Sequence, residues 1–82
     1  MKMTREEVRA AMQEILREVF GRDDLEVRDE MTAKDVKEWD SITHINVIVA
    51  TEQRFGVALT VREAARLRDV GQFIDLVLSK LG

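Results

Sequence analysis

From Val8 to Phe20 the apolar residues recur at steps of three and four: Val8, Met12, Ile15, Leu16, Val19 and Phe20, with Ala11 beside them. That spacing predicts one amphipathic helix with a single buried stripe. Thr4 opens it, with Glu7 at the capping-box distance. Gly21 ends it, because glycine accepts the left-handed backbone of a C-cap at little cost. Residues 22–40 hold no sustained period. Their acids (Asp23, Asp24, Glu26, Asp29, Glu30, Asp35, Glu38 and Asp40) outnumber their bases (Arg22, Arg28, Lys34 and Lys37). The pattern predicts a long loop, pinned to the core by Leu25, Val27, Met31, Val36 and Trp39. Loops this long in so short a chain are unusual and often functional.

The next segment is apolar nearly all round. On pattern alone, residues 45–50 also fit a β-branched strand, with residues 56–61 as a hairpin partner. A helix over residues 42–55 is preferred. Asp40-Ser41 is a capping signal, the run is long for a strand, and Gly56 stands where a helix stop is expected. β-Branched residues cost only about a few tenths of a kcal/mol each in a helix, which burial outweighs. Val47, Ile48 and Phe55 are expected to face the core, leaving Ile45 and Val49 for a partner. Thr60 caps a short helix over residues 62–67. Asp69 begins the last helix, with Gln72 at the capping-box distance. Val70, Phe73, Ile74, Val77, Leu78 and Leu81 form the cleanest stripe in the chain, and Lys80 near its end suits the helix dipole. The expected architecture is all-α: a four-helix bundle of three longer helices and one short one, with a long loop between the first two, forming one domain over residues 1–82.

Composition narrows the classes. At 82 residues, 45% apolar and 35% charged, the chain can bury a real core and keep a solvated surface. It has no cysteine, which excludes disulfides and thiolate metal sites. No apolar run approaches a membrane span, and the N-terminus lacks a signal peptide's apolar region, so the expected compartment is the cytoplasm. A net charge of −3 argues against nucleic acid as a partner. Arg62, Arg66 and Arg68 form a local basic excess, read first as a solvated face.

Catalytic constellations are mostly missing. His44 is the sole histidine and reads as a surface or loop-contacting residue. A Ser41-His44-Asp40 triad lacks the needed geometry at a helix start. There is no calcium-loop pattern, no other metal-ligand set and no glycine-rich phosphate cradle. What remains is Ser41 at the mouth of a helix, its hydroxyl near solvent and near the positive end of the dipole. An attached phosphate there would meet free first-turn amides and a favourable field.

These residues resemble the acyl carrier proteins of the phosphopantetheine-binding family. Asp40-Ser41-Ile42 matches the family's Asp-Ser-Leu core with a conservative change. Around it stand Trp39, the run over residues 45–50, Glu52, Phe55-Gly56 and the final stripe. The resemblance implies a carrier and not an enzyme. A phosphopantetheinyl transferase, using coenzyme A and Mg²⁺, would attach 4′-phosphopantetheine to Ser41, with Asp40 contacting the transferase or its metal. The thiol of that arm would hold acyl cargo as thioesters. Partner enzymes would read Ile42, Ile45, Val49, Glu52, Arg62 and Arg66. Asn46 and Gln53 stand where the fatty-acid-synthesis type has acids, and Arg62, Arg66 and Arg68 make the third helix basic. The expectation is therefore a discrete, monomeric, specialised carrier for a dedicated acyl-activating ligase or synthase of lipid or secondary-metabolite synthesis. Two alternatives stay open: an aminoacyl or peptidyl carrier of the same fold, and a helical interaction module in which Ser41 is only an N-cap.

Overall fold

The structure, a computed structural model, describes residues 3–81. The outermost positions of the expected domain, residues 1, 2 and 82, lie outside the described residues. Four helices follow one another: α1 (Arg5–Phe20), α2 (Ser41–Phe55), α3 (Val61–Ala65) and α4 (Val70–Leu81), with one 3₁₀ turn (Ala33–Asp35) in the long first link. The four-helix bundle expected from the sequence is present, and the described residues contain no strand. None of the described helices is long and apolar enough to cross a membrane.

Local chemistry sets the helix ends. Thr4 Oγ1 accepts the Glu7 N–H at 3.1 Å, and Glu7 Oε1 accepts the Thr4 N–H at 2.8 Å. α1 and α2 both stop on glycines in the left-handed region, Gly21 at φ 66° and Gly56 at φ 65°. At α4, Asp69 Oδ1 accepts the Gln72 N–H at 2.9 Å, but the return bond differs from the expected box: Gln72 Oε1 takes the Arg68 N–H at 2.8 Å.

Val8, Met12 and Leu16 of α1 meet Val47 of α2 and Val70, Phe73, Ile74 and Val77 of α4 in one core. α1 is the central helix, packed on both α2 and α4. The five residues expected to pin the long loop, Leu25, Val27, Met31, Val36 and Trp39, are all buried against the core. The core side of α2 departs from expectation. Val47 is fully buried, but Ile48 and Phe55 are only half-buried, and the second fully buried residue is Thr51. Its hydroxyl donates to the Val47 carbonyl one turn back at 2.7 Å, so a polar side chain enters the core already satisfied.

α3 is also shorter than the expected 62–67. It starts at Val61, directly after the Thr60 cap, and ends at Ala65. The Arg66 and Leu67 amides bond back only three residues, to Glu63 and Ala64, which tightens the chain into a turn. Lys80 of α4 ties this element down through Glu63 at 2.8 Å.

The loop is fastened along its length. Leu25 O accepts from Arg17 Nε at 2.7 Å, and the Val27 N–H donates to Gln13 Oε1 at 2.9 Å. Further on, the carbonyls of Met31 and Asp29 accept the first amides of α4, from Val70 at 2.9 Å and Gly71 at 2.7 Å. They satisfy donors that a helix start otherwise leaves unpaired. The Asp29 carboxylate is gripped at the same time by Arg9 Nε at 2.7 Å and Arg5 Nη2 at 2.8 Å.

Two expected results follow from this junction. A Cβ on Gly71 would lie 3.1 Å from the Asp29 carbonyl oxygen and 3.3 Å from its Cβ. Alanine gains up to about 1 kcal/mol of helix propensity over glycine. The obstructing atom, however, is backbone, and its side chain is held by two arginines. Gly71→Ala is therefore expected to lower stability by roughly 1 kcal/mol net, read as a lower urea midpoint with an unchanged slope. The second result concerns acid. Bonds from Arg9 and then Arg5 hold the Asp29 carboxyl down at about 2, from an ordinary value of 3.8. Because the folded value lies below the unfolded one, this contribution is complete above about pH 4 and is lost as pH falls towards 2. The Asp29 side chain is 34% exposed, so solvent screens the pairs and the contribution is on the order of 1 kcal/mol. Urea midpoints taken at neutral pH and near pH 2 should converge for wild type and Asp29→Asn; an equal gap at both would remove the cluster as the cause.

Candidate functional site

The site is built where the loop turns into α2. Trp39, buried, ends the loop by wedging between aromatic rings: Phe20 at 5.5 Å and Phe73 at 6.3 Å between centroids. The next residue, Asp40, is the N-cap. Its Oδ1 accepts the N–H groups of both Ile42 and Thr43 at 2.9 Å. The Thr43 amide, then the Ile42 amide and the Thr43 hydroxyl, hold the Asp40 carboxyl below the ordinary range, against the opposing effect of desolvation. Thr43 completes the box: its Oγ1 accepts the Asp40 N–H at 2.8 Å and donates to the Glu38 carbonyl at 2.8 Å.

This arrangement decides between the two possible caps and corrects one expectation. Ser41 is not the cap; it is the first residue of the helix proper, because the Asp40 carboxylate reaches two amides from the preceding position. The reading of Ser41 as only an N-cap loses its basis. Nor are most first-turn amides free for an anion: Asp40 takes those of Ile42 and Thr43 and the Asp40 carbonyl takes that of His44 at 2.9 Å, which leaves the Ser41 amide. What Ser41 keeps is exposure, the field of the helix end, and a hydroxyl left out of the capping network.

Ser41 opens onto a shallow recess walled by Ala33, Trp39, Asp40 and His44. His44 is half-buried in the first turn. Its Nδ1 accepts the Trp39 indole N–H at 3.1 Å, and its ring meets the edge of Phe73 at 5.8 Å. The loop contact expected of His44 is therefore specific. Its partner could not be picked out in advance among the loop's residues.

The residues expected to meet partners separate by environment. Ile42, Ile45 and Val49 are 72%, 61% and 44% exposed, an apolar strip running away from Ser41 along α2. Val61, which the sequence reading passed over, joins them at 88% exposed. Its signal was its place directly after a capping threonine, on the outer first turn of a short helix. Glu52 is less free than a recognition acid: its Oε2 accepts the Leu59 N–H at 2.9 Å and shapes the α2–α3 connection. Arg62, Arg66 and Arg68 are exposed on and just beyond α3. Between α2 and α3 lies an apolar groove of about 460 Å³, lined by Ile45, Ile48, Val49, Leu59 and Ala64, with His44 at one end. Among the described residues no three carboxylates or histidines converge as a metal site would require.

The family model for the phosphopantetheine attachment site matches residues 10–77 of the chain. The chain belongs to the phosphopantetheine-attachment family of acyl carrier proteins. It is similar to the acyl carrier protein of Acidothermus cellulolyticus, 32% identical over 77 residues that cover 94% of this chain and 92% of that one. It is similar also to the meromycolate extension acyl carrier protein of Mycolicibacterium smegmatis, 35% identical over 94% of this chain and 78% of that one. Among solved structures, the holo acyl carrier protein from Geobacter metallireducens superposes with a TM-score of 0.85 at 35% identity, covering 90% of this chain and 85% of that one. The acyl carrier protein of Thermotoga maritima gives 0.82 at 32%, covering 94% and 89%. As a member of this family the chain is an acyl carrier with a covalently attached 4′-phosphopantetheine, and not an enzyme. Its dealings are with transferase and synthase enzymes and with acyl cargo.

Proposed function

We propose that the Ser41 hydroxyl is where this carrier holds its 4′-phosphopantetheine. The observation that carries the reading is the division of labour at the start of α2. Asp40 does the capping, so the neighbouring serine stands exposed with its oxygen uncommitted. The residues present suit the group. The oxygen lies at the positive end of a 15-residue helix, and the recess beside it has room for the root of an extended arm. Once attached, the arm supplies a thiol for thioesters that a chain without cysteine cannot form itself. Asp40, charged and exposed, is the residue a transferase or its Mg²⁺ meets on reaching Ser41.

The apolar strip of Ile42, Ile45 and Val49 is the surface that partner enzymes cover, with Arg62 and Arg66 across the groove and Glu52 holding the connection in shape. The three exposed arginines on and just after α3, Arg62, Arg66 and Arg68, support a specialised carrier served by its own acyl-activating ligase or synthase, in lipid or secondary-metabolite synthesis, working as a monomer in the cytoplasm. The test of the site is direct. The protein is incubated with coenzyme A, Mg²⁺ and a broad-specificity phosphopantetheinyl transferase, then fragmented in a mass spectrometer. One arm on the fragment containing Ser41 is expected; an arm elsewhere, or none, overturns the assignment. Offering the loaded protein to acyl ligases and to amino-acid-activating enzymes separates an acyl from an aminoacyl cargo.

A further inference from the structure

We propose that His44 is a positioning residue for the arm, donating a hydrogen bond from Nε2 to one of the arm's acceptor oxygens near its root. The proposal rests on attachment at Ser41. Ser41 and His44 stand three apart on α2, so their side chains share a face. Helical side chains lean towards the N-terminus, which brings the imidazole back over the first turn. The ring is not free to choose its donor. Trp39 Nε1–H donates to Nδ1 at 3.1 Å, so the ring proton sits on Nε2. The bonded Trp39 ring, tilted only 28° from the imidazole, and the Phe73 ring at 5.8 Å fix the ring plane. No buried side-chain nitrogen or oxygen among the described residues lacks a partner, so this N–H, which no neighbouring side chain takes up, is open to solvent.

Its location gives the donor a use. His44 walls both the recess that holds Ser41 and the end of the α2–α3 groove. An arm that starts at Ser41 and runs towards the groove passes it. The phosphodiester also has less than the support usual at a helix start, because Asp40 occupies the Ile42 and Thr43 amides and adds a negative charge beside it. An oriented N–H from His44 offsets both, without the mobility of a long cationic side chain.

The experiment compares the unloaded and transferase-loaded protein by NMR, using ¹⁵N-labelled histidine, the ³¹P signal, and an arm labelled at its amides. Loading wild type should move the His44 Nε2 signal while Nδ1 keeps its bond to Trp39. His44→Phe keeps an aromatic body and removes the donor. Relative to wild type it should shift the ³¹P signal if the acceptor is a phosphate oxygen, or the arm's amide signals if it is the first carbonyl. His44→Gln, which retains an N–H donor, should recover part of that difference. His44 nitrogens unchanged on loading, with arm signals alike in wild type and His44→Phe, would overturn the proposal and leave attachment at Ser41 standing. Failure of wild type to load at Ser41 would overturn both. Should His44→Phe not fold, the wild-type comparison decides alone.

Discussion

Ser41→Ala is expected to abolish uptake of the arm completely while leaving the fold as it is. The first half follows from chemistry, since alanine offers no oxygen to take the phosphopantetheinyl group from coenzyme A. The second half follows from the cap. The bonds that start α2 run from Asp40 and Thr43, and none passes through the Ser41 hydroxyl. Alanine also has the higher helix propensity, and an exposed substitution away from such bonds changes stability by only about 0.5 kcal/mol. Intact mass after incubation with coenzyme A and transferase should therefore show one added arm on wild type and none on the variant, with thermal midpoints within a few degrees of each other. A variant that still gains the arm would place attachment on another residue. A variant that unfolds would show that the hydroxyl had a structural part.

Trp39→Ala is expected to give the largest loss of stability of any single change at the site, about 3–4 kcal/mol. The indole is buried between Phe20 and Phe73 and is the last of the loop's core contacts before α2. Its loss leaves a cavity and removes the hydrogen bond to His44. Against a total stability of about 5–15 kcal/mol, that is a large fraction. Trp39→Phe keeps most of the packing but strands the Nδ1 acceptor, and should cost only about 1 kcal/mol. Because Trp39 is the sole tryptophan, urea unfolding should be followed by helix dichroism and not by fluorescence. Equal midpoints for the two variants would mean that the ring contacts contribute little.

The parts of this molecule legible in the sequence are those where one local rule decides. The stripes of α1 and α4 are periodic, and the caps at Thr4 and Thr60 lie beside the groups they satisfy. The loop's five large apolar residues could be assigned to the core because an acidic, aperiodic segment has little other use for them. Thr51 was hidden because its hydroxyl is satisfied within its own helix, which no pattern of apolar positions reports. The choice of Asp40 over Ser41 as cap was hidden because both side chains cap well, and the decision lies in which oxygen reaches two amides. The extent of α3 turned on two i→i−3 bonds. The grip of Arg5 and Arg9 on Asp29, and the pairing of Trp39 with His44, link elements whose relative placement only the packed bundle defines.

The bonds from the Met31 and Asp29 carbonyls to the first amides of α4 bear on how this carrier can move. Lifting the loop would strip two donors of their acceptors in a partly buried setting, at about 1–3 kcal/mol for each one left bare. The stretch of loop at residues 29–31 is therefore part of the chassis and not a lid. Motion in service is then left to the tether and its load, with this corner of the mount held still.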